Sequence, residues 1–148
     1  MGERTPHLDP FATAALVGLT ASHTRAHIVR AMMEGVAFSL RDTVEIFKEI
    51  EVQVEEIRLG GGGARSSIWR QIQADVYGQP VCTVAAEEGA AFGAALLAGV
   101  AVGMWTSVDA ACDAVDAIAD RVEPDAESMR ILARQYERFK QIYPALNR

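Results

Sequence analysis

With 148 residues, half of them apolar and 23% charged, the chain has the material for one packed domain or a piece of a larger one, which excludes a disordered polymer. The 14 basic and 20 acidic residues leave a net charge of −6, which argues against the basic face that nucleic-acid binding requires. No run approaches the roughly 18 apolar residues of a membrane span, residues 1–10 lack the apolar core of a signal peptide, and Cys82 and Cys112 match no metal spacing, so a reduced cytoplasmic protein is expected, with a single disulfide left open.

Residues 1–13 are polar, carry Pro6 and Pro10, and read as an arm. Residues 14–19 form a short apolar run that suits a buried strand. Residues 24–50 give the strongest helix signal: Val29, Met33, Val36, Leu40, Val44 and Phe47 recur at helical steps, with Ser22 or Thr24 as cap. Gly35, inside that helix, costs about 1 kcal/mol against alanine and implies a neighbour close to the backbone. A strand at residues 54–59 ends in Gly60–Gly63, and a second helix follows with Ile68, Trp69, Ile72 and Val76 on one side and Gly78 at its left-handed end. Residues 80–84 read as a strand. Residues 87–100 read as a helix of small residues, Ser107 as the cap of a short helix to Val115, and Asp125 as the cap of the last helix, with Met129, Leu132, Tyr136, Phe139 and Ile142 as its stripe. Room remains for an optional strand before that last helix.

This alternation argues for an α/β layer fold. Three strands make a thin sheet, and the long helix needs something to cover it, a first sign that the chain does not close its own core.

Leu59-Gly60-Gly61-Gly62-Gly63-Ala64-Arg65-Ser66-Ser67 is the most informative stretch. It joins a strand to a helix, where a ligand can approach a backbone without Cβ atoms and meet the helix N-terminus. It is not the dinucleotide pattern, which would need glycine at Arg65 or Ser66, nor the phosphate loop that ends in Gly-Lys-Ser/Thr. A tight turn without a ligand remains the alternative. Residues 87–99, Glu-Glu-Gly-Ala-Ala-Phe-Gly-Ala-Ala-Leu-Leu-Ala-Gly, suit either a helix buried in a tight core or a contact between moving domains.

Taken in order, five segments resemble the C-terminal part of FGGY-family carbohydrate kinases, most of all the xylulokinase branch. Glu3-Arg4-Thr5-Pro6-His7-Leu8-Asp9-Pro10 resembles the loop before the family's last lobe. Gly18 to His27, with Glu34-Gly35-Val36-Ala37-Phe38-Ser39-Leu40-Arg41-Asp42, resembles the long helix that follows. Gly61 to Ser66, with Trp69-Arg70-Gln71 and Ala74-Asp75, resembles the adenosine motif and signature helix. Glu88-Gly89-Ala90-Ala91 with Gly93-Ala94-Ala95 resembles the helix that crosses between domains, and Tyr143-Pro144-Ala145-Leu146 the chain end.

The resemblance implies a partial ribonuclease H-like domain of the actin/Hsp70 ATPase type, the C-terminal part of a kinase's nucleotide-side domain. ATP and sugar would lie between two such domains, with a catalytic aspartate in the N-terminal one and Mg²⁺ completing the site. Gly62, Gly63 and Ala64 match the backbone that lies against adenine and ribose, and Ser67 falls where relatives place a polar residue on adenine. Arg65 and Ser66 belong to the motif without a settled role. Glu88, Gly89 and Gly93 match a hinge element. His7, His23 and His27 are expected in ordinary hydrogen bonds, and Glu34 in a pair with Arg30 one turn away.

No segment matches the N-terminal sugar domain, the catalytic aspartate or the family's phosphate loops, and the arginine and glycine usual after Asp9-Pro10 are lacking. The expectation is therefore a C-terminal kinase fragment with no catalytic or metal-ligating residue of its own, holding an adenine nucleotide and pairing with a second copy or a partner chain. The alternatives are a non-catalytic interaction module and a split enzyme.

Overall fold

The computed structural model describes residues 2–84, 89–115 and 118–147. Helix α1 runs Arg25–Glu49 from an extended Thr24, whose backbone N–H donates to His27 Nδ1 at 3.1 Å. Strand β1 (Ile57–Leu59) leads through the 3₁₀ turn Gly62–Arg65 into α2 (Ser67–Tyr77) and then β2 (Val81–Val84). Helices α3 (Gly89–Ala101) and α4 (Val108–Val115) follow, then β3 (Ile118–Val122), α5 (Ala126–Phe139) and the short α6 (Ile142–Leu146).

The sheet order is β1-β2-β3. β1 and β2 are parallel, with Ile57 beside Val81, as expected of strands joined by a crossover helix. β2 and β3 are antiparallel, with Val81 opposite Val122 and an irregularity after Thr83. Helix α2 is the centre of the packing. Its Ile72, Ala74 and Val76 meet Ala37 and Phe38 of α1, Val81 of β2, and Leu132 and Tyr136 of α5. Removing three carbons from the fully buried Ile72 is expected to cost about 2–5 kcal/mol in an Ile72→Ala variant, measurable by urea unfolding.

Polar bonds fix the same layers. Arg41 donates from Nη1 to the Val76 carbonyl at 3.0 Å and lies 4.3 Å over the Tyr136 ring. Tyr136 donates its hydroxyl to Asp42, whose carboxyl is pushed above its usual range by burial although that bond opposes the shift. The caps stand where the residues put them: Ser128 N–H donates to Asp125 at 2.8 Å, Ala110 N–H to Ser107 at 3.1 Å, and Gly78 ends α2 at φ +67°. Arg30 and Glu34 pair at 2.6 Å. His23 and His27 bond to Thr20 and Thr24, and His7 stacks on Tyr143 at 3.7 Å. Both cysteines are free, Cys82 buried and Cys112 exposed.

Three expectations change. Residues 14–19 are not a strand: they run irregularly over the surface, with Leu16, Val17 and Leu19 exposed, and they pair with none of the three strands of the sheet. Gly35 has no close neighbour, since a Cβ built there meets nothing within 4 Å. The same is true of Gly89 and Gly93; only Gly99 of this helix is pressed, against the Trp105 ring. Glu88 lies outside the described residues. No described helix is long and apolar enough to cross a membrane.

Tyr77 gives a pH prediction. Its hydroxyl donates to the buried Gln73 at 3.0 Å, and burial raises its pKa to about 12. The folded value exceeds the unfolded value of about 10. Its stabilising contribution is therefore complete below pH ~10 and lost as pH rises towards 12. Tyr136 shifts in the same direction. Tyr77→Phe should flatten, but not remove, the fall in stability over that window in a denaturant series. An unchanged slope would mean that the phenol is hydrated in the folded state.

Candidate functional site

At the end of β1 the chain must turn sharply to enter α2. Gly61 makes the turn at φ +74°, ψ −178°, a conformation open essentially to glycine. Ala64 N–H then donates to the Gly61 carbonyl and Ser66 N–H to that of Gly63, both at 3.1 Å. These two amides are spent inside the turn. Ser66, extended at φ −83°, ψ 115°, caps α2, and its Oγ accepts from Trp69 N–H at 3.3 Å.

The glycines do different work. A Cβ at Gly60, Gly61 or Gly62 would meet nothing within 4 Å, so their backbone is open to an approaching group. A Cβ at Gly63 would stand 3.3 Å from the Trp69 ring. Gly63 and Ser66 open onto a groove of about 390 Å³ between the start of α2 and α1, walled by Trp69, Met32, Met33 and Val36. The polar groups of the side chains in this lining are the Ser66 hydroxyl and the Trp69 indole N–H. Two thioethers, an indole and one hydroxyl suit a flat, weakly polar ring.

Of the residues singled out from the sequence, Gly63 lines this groove, and Gly62 lies beside it, exposed. Ala64 is half-buried, and its carbonyl accepts from Arg70 Nη1 at 2.7 Å. Ser67 is exposed as the first residue of α2 and is not among the groove residues; its neighbour Ser66 is. Met32, Met33, Val36 and Trp69 were not among the sequence's site candidates. Behind the loop, Gln71 donates to Asp75 at 2.8 Å and to the Glu123 carbonyl at 3.0 Å, and Asp125 N–H donates to Asp75 at 2.8 Å, which fixes α2 against α5. Among the described residues no group of three or more His, Cys, Asp or Glu could hold a metal ion.

The family model for the C-terminal domain of the FGGY family of carbohydrate kinases matches residues 1–102. The chain belongs to the FGGY family. A xylulose kinase of Bacillus subtilis is 35% identical over 143 residues, which is 97% of this chain and 29% of that protein. The crystal structure of xylulose kinase from Rhodospirillum rubrum superimposes with a TM-score of 0.80 at 34% identity, covering 93% of this chain and 28% of that one. The crystal structure of Plasmodium falciparum glycerol kinase with ADP does so at 0.79 and 24% identity, over 99% and 29%, a likeness of fold. This FGGY chain thus spans under a third of the length of the relatives it matches. Its small sheet flanked by helices is part of the ribonuclease H-like, actin/Hsp70-type ATPase fold that the resemblance implied.

Proposed function

We propose that this chain is the C-terminal part of the nucleotide-side domain of an ATP-dependent, xylulokinase-like sugar kinase of the cytoplasm, and that its glycine loop and the adjoining groove hold the adenosine of ATP. In the parent reaction ATP would pass its γ-phosphate to D-xylulose, giving ADP and D-xylulose 5-phosphate. One observation carries the reading: Gly63 and Ser66 of the loop line an open, largely apolar groove together with Trp69, Met32, Met33 and Val36. Similarity to a B. subtilis xylulose kinase along 97% of the chain supports the substrate class. ADP in the P. falciparum glycerol kinase structure supports the ligand class.

In this reading the chain's own residues bind and orient. Met32, Met33, Val36 and Trp69 would exclude water from the ring, Ser66 would fix its rotation, and the open backbone at Gly62 would admit the ribose. Mg²⁺ would neutralise phosphate charge in the parent enzyme, but no described cluster fits it, so no step is assigned to it here. A second reading, a non-catalytic association module, is favoured by one feature: the exposed apolar side chains of Val29, Val36, Leu40 and Phe47 on α1.

An ADP titration followed by amide NMR tests the first reading. Gly62, Gly63, Ser66 and Trp69 are expected to shift, with weak affinity because one wall of the cleft is present. Gly62→Val is the discriminating variant, since its side chain has space in the apo fold, whereas Gly63→Val would displace Trp69. Gly62→Val should abolish the shifts with the fold intact. Shifts elsewhere, or shifts that survive Gly62→Val, would place the site elsewhere.

A further inference from the structure

We infer that Arg70 is a positioning residue that sets the geometry of the glycine loop through its guanidinium. Arg70 donates from Nη1 to the Ala64 carbonyl at 2.7 Å and from Nη2 to Asp120 Oδ2 at 2.9 Å. One planar group thus spans from the 3₁₀ turn to β3. Its side chain is 18% exposed, and its Nε is buried without a partner. An unpaired buried donor is unfavourable, so the fork is held in the orientation its two acceptors dictate.

The need follows from the turn. A 3₁₀ turn of four residues, Gly62–Arg65, leaves end carbonyls that require outside donors. The glycines beside it resist backbone distortion poorly. Ala64 is two residues from Gly62 and two from Ser66, so anchoring its carbonyl fixes both the open backbone and the hydroxyl of the groove. Asp120 is anchored in turn, since β3 pairs with β2 at Thr83, and its Oδ1 accepts from Arg121 N–H at 2.9 Å. Only a fork can reach both acceptors; a lysine ammonium would serve one well.

The link to ligand binding rests on the proposed nucleotide site, and the experiment separates the two. Amide hydrogen exchange is measured on the 148-residue chain and on Arg70→Met, Arg70→Lys and Asp120→Asn, with ADP titrations alongside. In Arg70→Met, Ala64 and Ser66 amides are expected to exchange at least tenfold faster while Ile72 and Val76 do not, and the Trp69 indole resonance should move. Arg70→Lys should recover part of the protection, and Asp120→Asn, which keeps the guanidinium, should lose part of it. ADP-induced shifts at Gly62 and Gly63 should vanish in Arg70→Met. Unchanged loop exchange, or equal acceleration of loop and core, would overturn the positioning role. Should Arg70→Met fail to fold, Asp120→Asn decides by the same comparison. Absence of ADP shifts in the unsubstituted chain would sink the nucleotide site and leave the exchange result to judge Arg70.

Discussion

Given ATP and D-xylulose, the 148-residue chain on its own is expected to release no ADP above a protein-free blank. The groove beside the glycine loop is lined by Met32, Met33, Val36, Gly63, Ser66 and Trp69, none of which can serve as a carboxylate base. The resemblance leads to the expectation that no segment of this sequence matches the family's catalytic aspartate. A positioned general base is worth about 10²–10⁴-fold, and phosphoryl transfer depends further on holding both substrates in line. One wall of a cleft supplies neither. The assay is coupled ADP release on protein freed of contaminating kinases. Turnover that co-purifies with the chain at constant specific activity would overturn the fragment reading and require a base within these residues.

The helices were legible because their signals are local. The stripe from Val29 to Phe47 repeats at helical steps, and Ser107, Asp125 and Gly78 mark ends by chemistry that needs no tertiary partner. The errors arise where a partner decides. An apolar run such as residues 14–19 signals a need for burial, but a strand forms only where it finds another to pair with, and this run pairs with none of β1, β2 or β3. Gly35 suggested a close neighbour, and in the structure that side of α1 is open. β3 could be read only as optional because Ile-Ala-Asp-Arg-Val is short and largely exposed.

The candidate groove could be read only in part from the sequence, for a related reason. Four consecutive glycines between a strand and a helix mark a sharp turn, which Gly61 makes at φ +74°. The groove wall did not announce itself, because Met33 and Trp69 fit an ordinary buried stripe. Ser66, the extended cap, lines the groove, whereas Ser67, the first residue of α2, does not. The role of Arg70 rests on Asp120, 50 residues along the chain, and no local pattern reports such a pair.

The chain is also expected to self-associate. Val29, Met32, Val36 and Leu40 lie along one side of α1, exposed by 50%, 60%, 55% and 46%. Burying a whole side chain of this kind contributes about 1.5–3 kcal/mol, so covering four half-exposed ones contributes roughly 3–6 kcal/mol per copy and roughly 6–12 for a symmetric pair. Association costs about 4–15 kcal/mol in lost freedom and ordering. The two ranges overlap, which points to a concentration-dependent equilibrium and not an obligate dimer. The open edge of β1 adds little, since it offers three residues. Sedimentation equilibrium from about 1 to 500 μM should show average mass rising above 16.0 kDa with concentration. Val36→Glu combined with Leu40→Glu should return it to the monomer without loss of folding, because both side chains already face water in the single copy. A 16.0 kDa species across the whole range, unfolding cooperatively, would show that this stripe tolerates solvent and that the chain closes its own core.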